Sequence, residues 1–400
     1  MRPVIGTSWA IVTGHPLATR AGADILAAGG NAVDAGVAAG LCLAVVHPDM
    51  VSLAGVAPIL VHEASTGETW EVAGLGPFPS ASSIQYFQER HGGQIAMGVA
   101  RTVVPGAPDA WCAALDRWGT RAFAEVAAPA KAYAAHGFPI GAFSAQVMHV
   151  YRDRYRRWPS SAALFLRDGH TLGPGERLAL PDLHDTLERM VRAEGRAAGG
   201  RRAGLRAARD EFYRGETARR IVAFHEAESG PLTLADLAGY SVDIAPALRG
   251  SFGQHEVAVC NVWSQGPAFL QMLGILDGMG RRGLEVGSTR YFHRIIETIK
   301  LAFADREAYY GDPRFVEVPL ARLLAFDYAE ARRALIGERA WAGMPPAGAG
   351  SLEREPTAAA LGDGSASPLG TSYVGVVDAA GNVFSATPSD PHFDSPIVPG

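Results

Sequence analysis

A glycine followed by a threonine at the mouth of a strand is a place where a chain can cut itself. Gly370-Thr371 opens the segment LGTSYVGVVDAAGNVFSATPSD. Thr371 carries a hydroxyl, and once the bond before it is broken it also carries a free α-amine. Nucleophile and base then sit on one residue. The reference pKa of such an amine is about 7.7–8.0, so near neutrality an appreciable fraction is unprotonated and able to take a proton. In the intact chain the Thr371 hydroxyl would attack the Gly370 carbonyl, and the ester left by the N-to-O acyl shift would be hydrolysed. Glycine suits the strained turn this requires. On sequence physics alone, the plainer reading in which Thr371 only starts a strand has the better claim.

The elements around that step must hold it in place. Trp341 to Gly370 is a run of Ala, Gly, Pro and Ser that reads as a mobile linker. Thr371 to Asp378 alternates polar and apolar residues as a half-buried strand does. If Ala379 to Gly381 form the turn, Asp378 pairs with Asn382 and Thr371 lies opposite Ser389; a two-residue turn would put Pro388 there instead. A hydroxyl at Ser389 would orient the nucleophile by hydrogen bonding, although a plain loop serine is the competing reading.

Upstream, His15 to Ala28 has helical spacing and stops at Gly29-Gly30. Asn31 is placed to cap a second helix, AVDAGVAAGLCLAVV, whose small residues allow close packing on a sheet. Ala57 to Glu63 and Thr69 to Val72 read as strands. The pattern is helical from Pro105 to about Ala135 and breaks at Gly137-Phe138-Pro139. Leu178 to Glu226 is mostly helical and Arg-rich, Ser251 to Val262 alternates like a strand, and Thr289 to Tyr310 is a helix ended by Gly311-Asp312-Pro313. Helices dominate and a hairpin follows, which predicts a layered α+β fold.

Composition removes several classes. With 400 residues and 48% hydrophobic content the chain can bury a large core, as one big domain or two ordinary ones. A net charge of −5 does not suit nucleic acid or an acidic membrane surface. The Arg cluster between Arg189 and Arg220 reads as a solvated helix face and loop. Cys42, Cys112 and Cys260 are far apart with no CxxC pair, so buried free thiols are expected rather than disulfides or a zinc site. The first twenty residues lack the apolar core and cleavage site of a secretory signal, and the longest apolar run, Gly36 to Val46, is too short to span a bilayer. A soluble, cytoplasmic protein is the expectation. There is no GxSxG elbow, no HExxH, no P-loop and no GxGxxG between a strand and a helix. The scattered histidines assemble no metal site by spacing.

Taken together, a series of blocks resembles the γ-glutamyltranspeptidase family of N-terminal-nucleophile (Ntn) hydrolases. They are HPLATRAGADILAAGGNAVDAGVAAG (His15–Gly40), VPGAPDAW (Val104–Trp111), FYRGETA (Phe212–Ala218), LTLADLAGY (Leu232–Tyr240), LAFADREAYYGDPRFVEVP (Leu301–Pro319) and GTSYVGVVDAAGNVFSAT from Gly370. They fall in the family's order over essentially the whole chain. The resemblance implies a four-layer αββα fold and cleavage between Gly370 and Thr371. Residues 1–370 would belong to a large subunit and 371–400 to the start of a small one, the two staying together as a heterodimer. It also implies Thr371 as nucleophile, a helping hydroxyl at Ser389 where the family has Thr, and no cofactor or metal. Its substrates are small amides, usually γ-glutamyl compounds such as glutathione.

The match departs from the family at specific places. Ser372 and Tyr373 stand where the family has Thr and often His. Ser82 aligns with the Arg that holds the glutamyl α-carboxylate, and no Arg occurs between Gly74 and Gln88. Carboxylates are best held by a cationic fork; Arg101, just before TVVPG, is the candidate replacement, with Ser372 as a second candidate substrate contact. A Gly-rich stretch of the family reads SLAGVAP (Ser52–Pro58), and Pro391 replaces an Asn. Gly400 precedes the segment that supplies the family's backbone oxyanion hole, so the resemblance implies a chain incomplete at its C-terminus. Three readings stay open: a γ-glutamyl amidohydrolase, with hydrolysis or transfer; a hydrolase of a non-glutamyl amide such as oxamate; and a non-catalytic homologue serving in binding or assembly.

Overall fold

The residues from Ala32 to Val46 form a helix on which every side chain is buried. In the computed structural model, which describes residues 5–280, 285–348 and 370–400, this helix is the centre of the first of two compact units, residues 1–245 with 368–400. Its N-terminus carries the expected cap. Asn31 Oδ1 accepts from the Val33 and Asp34 N–H groups, and Asp34 Oδ2 accepts from the Asn31 N–H, closing a capping box. Its small residues do what their size allows. A Cβ on Gly36 would come within 2.2 Å of the Phe384 ring, and one on Gly40 within 2.6 Å of Trp111.

That helix packs on a six-stranded sheet whose strands run in the order Ala10–Thr13, Val374–Val377, Val383–Ala386, Ala57–Glu63, Glu68–Gly74 and Ile244–Pro246. The first five are antiparallel. Strand alternation separates two faces. Ile59, Val61, Val72, Val374, Val376, Phe384 and Ala386 are buried toward the helix, while Val12, Tyr373 and Val377 are exposed on the other face. Helices Pro16–Ala27, Ala107–Trp118, Phe123–His136, Pro181–Arg196, Arg201–Arg214 and Glu216–Ala227 complete the unit. The fold class is α+β as expected, and the described residues of this unit supply one large sheet with its helical covering.

The Arg-rich stretch departs from the solvated face expected of it. Arg209 is nearly buried and grips Asp109 through both carboxylate oxygens at 2.8 and 3.1 Å. Arg201 Nη1 donates to the Leu115 carbonyl, at the C-terminal end of helix Ala107–Trp118. The Leu115 carbonyl also accepts the Gly119 N–H, so Arg201 adds a second donor at this helix end.

The second unit, residues 246–367, holds a hairpin, Leu248–Phe252 with His255–Val259, and helices Gly266–Asp277, Thr289–Tyr309 and Phe326–Arg333. Ser251 to Val262 is thus not one strand. Gly253, at φ 60°, takes a left-handed conformation that breaks it. Of the expected linker, residues 349–369 lie outside the described residues. Among the described residues no helix is long and apolar enough to cross a membrane. Cys42 and Cys112 are buried free thiols, and Cys260 is half-buried.

Candidate active site

The register of the C-terminal hairpin decides which side chain meets Thr371. Asp378 N–H donates to the Asn382 carbonyl (3.1 Å), Gly381 N–H donates to the Asp378 carbonyl (3.0 Å), and Gly381 sits at φ 86°. This is a three-residue turn with glycine in the left-handed position. The Asp378 carboxylate secures it by accepting from the Ala380 and Asn382 N–H groups. The ladder then pairs Val377 with Val383 and Val374 with Ala386, and the same register carries on to an isolated bridge between Thr371 and Ser389. Ser389 Oγ donates to Thr371 Oγ1 at 2.9 Å. The hydroxyl expected from turn arithmetic is in place.

The next residue supplies a contact the sequence did not disclose. Asp390 N–H donates to the Gly370 carbonyl, the one Thr371 would attack, at 3.2 Å. Asp390 adopts φ 87°, rare for a residue with a side chain, and Gly370 lies at φ 152°. Backbone strain of this kind costs on the order of 1–3 kcal/mol and persists where surrounding structure enforces it. The loop Ser52–Gly55 does the enforcing: Ser52 N–H donates to the Ser389 carbonyl (3.3 Å), and a Cβ on Gly55 would meet that oxygen at 2.4 Å. The hydroxyl partner and the carbonyl partner therefore come from consecutive residues of one corner.

Alternation along the strand sends the two candidate hydroxyls opposite ways. Thr371 is exposed, whereas Ser372 is buried, with its Oγ 3.3 Å from His47 Nδ1. Ser372, considered as a substrate contact, thus faces the core. Arg101 lines a cavity of about 600 Å³ beside this corner, together with Ser52, Leu53, Val56, Phe224 and Leu232; Asp390 and Pro391 form part of its wall. Its guanidinium is already engaged: Nη1 donates to Asp394 at 3.1 Å, and Nε and Nη2 donate to the Ala96 and Ile95 carbonyls. Arg154 binds the other oxygen of the same Asp394. Ser82, standing for the family's carboxylate-binding Arg, is half-buried.

Two histidines lie under the site. His15 caps helix Pro16–Ala27 by accepting the Leu17 N–H on Nδ1 (3.2 Å). Burial, with the neighbouring His47 ring, lowers its pKa to about 4. Burial also lowers the pKa of His47, while Asp49 opposes the shift. Both rings are therefore neutral near pH 7. Sequence reasoning missed His47 and Asp49; the signal that marks them is a His and an Asp two residues apart just past the apolar run Gly36 to Val46.

The sequence model of the family described as gamma-glutamyltranspeptidase matches residues 18–400. The chain is 34% identical over 400 residues to the acylase ACY 1 proenzyme of Pseudomonas sp. (strain SE83), covering 96% of this chain and 66% of the relative. It is 32% identical over 338 residues to the glutathione hydrolase proenzyme of Bacillus subtilis (strain 168), covering 83% and 55%. The chain thus spans between about half and two thirds of the length of these curated relatives. Its fold superposes on the γ-glutamyltranspeptidase of Helicobacter pylori with a TM-score of 0.78 at 26% identity, over 91% of this chain and all of the other. With a corner that binds both the Thr371 hydroxyl and the carbonyl before it, and a family match running through that corner, the chain belongs to the γ-glutamyltranspeptidase family.

Proposed function

We propose that the protein is a self-processing amidohydrolase whose nucleophile is Thr371. One observation carries the reading: Ser389 Oγ binds the Thr371 hydroxyl while the adjoining Asp390 N–H binds the Gly370 carbonyl. In self-cleavage the Thr371 oxygen attacks the Gly370 carbonyl carbon and the carbonyl oxygen gains negative charge. A fixed N–H aimed at that oxygen stabilises it as the charge develops. The C–N bond then breaks, its nitrogen takes the hydroxyl proton, and water hydrolyses the resulting ester. The products are a chain ending at Gly370 and one beginning with a free-amine Thr371. They stay paired because the hairpin Val374–Val377 and Val383–Ala386 lies between Ala10–Thr13 and Ala57–Glu63, two strands of the other product. In the processed heterodimer the α-amine takes the Thr371 proton as the hydroxyl attacks an external amide, and the acyl-enzyme passes to water or an amine.

The substrate we assign is a small amide with an apolar acyl group. The cavity wall is mainly apolar, Arg101 is held by Asp394, and Ser82 offers no charge for a glutamyl carboxylate. The likeness to an enzyme named glutathione hydrolase supports a γ-glutamyl substrate as the second reading.

Intact-mass analysis of the protein beside Thr371→Ala tests the mechanism. Two fragments divided between Gly370 and Thr371, in the parent only, are expected; one uncut chain in both would overturn it. Matched amides with apolar-acyl and γ-glutamyl groups on one leaving amine then separate the substrates. Faster turnover of the γ-glutamyl compound would replace the first assignment with the second.

A further inference from the structure

On the inner face of the strand, behind Thr371, three side chains run in line from the hairpin into the core. Ser372 Oγ lies 3.3 Å from His47 Nδ1, and His47 Nε2 lies 3.8 Å from Asp49 Oδ2. Ser372 and His47 keep 7% and 8% of their surface, and Asp49 keeps none. Neither carboxylate oxygen of Asp49 has a hydrogen-bond partner among the described residues. A buried carboxylate without donors is destabilising by several kcal/mol. Packing alone gives no reason for a charge here, since a neutral side chain of the same volume would fill the space at less cost.

The niche around the serine is shaped for its hydroxyl. A Cβ on Gly14 would come within 2.1 Å of Ser372 Oγ and 3.5 Å of the His47 ring, so position 14 must lack a side chain. The backbone is tied on both sides: Ser372 N–H donates to the Pro388 carbonyl (2.9 Å), and Gly14 N–H donates to the Tyr373 carbonyl (3.1 Å). His47 itself is anchored as the C-terminal cap of helix Ala32–Val46, its N–H bonded to the Leu43 carbonyl. A carboxyl oxygen facing Nε2 favours the proton there, which leaves Nδ1 free to accept the Ser372 hydroxyl. The other titratable ring beside His47 is His15, with centroids 6.0 Å apart.

We propose that His47 and Asp49 are positioning residues for the nucleophile: Asp49 fixes the His47 tautomer, His47 fixes the Ser372 hydroxyl, and the Thr371 peptide one residue away keeps its aim at the Ser389–Asp390 corner. No bond is made or broken at these three residues. The role rests on the self-processing reading above, so its test has one arm that does not need cleavage.

The first arm follows self-cleavage of the complete natural chain by mass. Asp49→Asn and Ser372→Ala are each expected to slow it about tenfold, the equivalent of one buried hydrogen bond. The double variant is expected to be no slower than either single one by more than about twofold, because both changes break the same line. Asp49→Asn is expected to melt no lower than the parent, since a neutral amide is easier to bury. Slower chemistry in a protein of undiminished stability is what a merely structural role would not produce. Cleavage at the parental rate in Asp49→Asn, or a rate loss accompanied by an equal loss of stability, would overturn the proposal.

The second arm uses Thr371→Ala, which cannot cut itself, with its histidine rings labelled with nitrogen-15. The His47 ring, assigned by its absence from a His47→Asn spectrum, is expected as the Nε2–H tautomer, shifting toward Nδ1–H when Asp49→Asn is added. An Nδ1–H ring in Thr371→Ala, or a ring indifferent to residue 49, would refute the dyad. If the natural chain stays uncut, self-processing fails, and the ring spectrum alone upholds or refutes the fixing of Ser372.

Discussion

Asp305 and Asp49 are two of the carboxylates with no exposed surface among the described residues, and they are treated in opposite ways. In the unit 246–367, Asp305 sits 3.1 Å from Arg332 Nε, accepts the Gly348 N–H at 2.7 Å and binds the Gln271 amide. Arg332 spends its remaining donors on the Leu301, Pro346 and Gly348 carbonyls at 2.8–2.9 Å. Burial still pushes the Asp305 carboxyl up, with Arg332 opposing. Asp49, in the other unit, has no hydrogen-bond donor among the described residues; the His47 imidazole stands 3.8 Å away, and the buried Tyr155 hydroxyl is electrostatically coupled to it. A buried charge with every partner supplied is explained by the architecture it ties together. One without donors is explained by what it does to the groups beside it, of which His47 touches the residue after Thr371.

The sharpest way to break this contrast is Arg332→Ala. Removing one partner of a buried pair leaves an uncompensated charge and costs about 3–5 kcal/mol. A fall in the thermal midpoint of several degrees is expected, while Asp49→Asn leaves the midpoint unchanged or raised. Equal losses in the two variants would show that Asp49 is as structural as Asp305, and the contrast would be gone.

A smaller effect separates buried groups by pH. His225 is buried, its Nδ1 has no hydrogen-bond partner among the described residues, and burial lowers its pKa to about 4. Its unfolded value is about 6.5, so the unfolded chain binds the extra proton first as pH falls. The stability from keeping this ring neutral is full above about pH 6.5 and declines down to about pH 4. At pH 5 the loss is roughly 2 kcal/mol, from 1.36 kcal/mol per unit over about 1.5 units. The His15 and His392 rings, whose pKa values burial lowers likewise, add to the loss in the same direction. Denaturant melts at pH 7 and pH 5 should therefore show more than that loss in the parent, and a loss smaller by roughly 2 kcal/mol in His225→Leu. An unchanged slope would remove His225 from the account.

What the sequence disclosed and what it withheld follow the range of the physics involved. The partner of Thr371 was legible because hairpin register is local: Gly381 fixes the turn, and period-two alternation carries the pairing to Ser389. The small-residue helix and its Asn31 cap were legible for the same reason. Asp390's contact with Gly370 was not, because a positive φ at an aspartate is imposed by the Ser52–Gly55 loop, more than three hundred residues away in the chain. His47 and Asp49 show no role locally, because Ser372, which the sheet brings to His47, is more than three hundred residues away in the chain. Arg101 failed as a free carboxylate fork for a related reason: Asp394, which occupies it, is distant in sequence. The Arg cluster likewise gave no hint that Arg209 turns inward to Asp109.

Ser389→Ala sharpens the contrast from the exposed side of the same strand. Ser389 is half-exposed, and its Oγ donates to Thr371 Oγ1 and the Thr387 carbonyl. Its removal should leave stability within about 0.5 kcal/mol, as for most surface changes. One lost hydrogen bond to the nucleophile corresponds to about a tenfold slower self-cleavage, roughly 1.4 kcal/mol, and Ser389→Thr should restore most of it. Combined with Asp49→Asn, the losses should multiply, because Ser389 holds the oxygen from one face while Asp49 acts through the backbone from the other. Direct and transmitted control are then independent. A double variant no slower than Ser389→Ala alone would mean that both residues serve a single geometry, with the buried line doing no more than setting the register that Ser389 already reports.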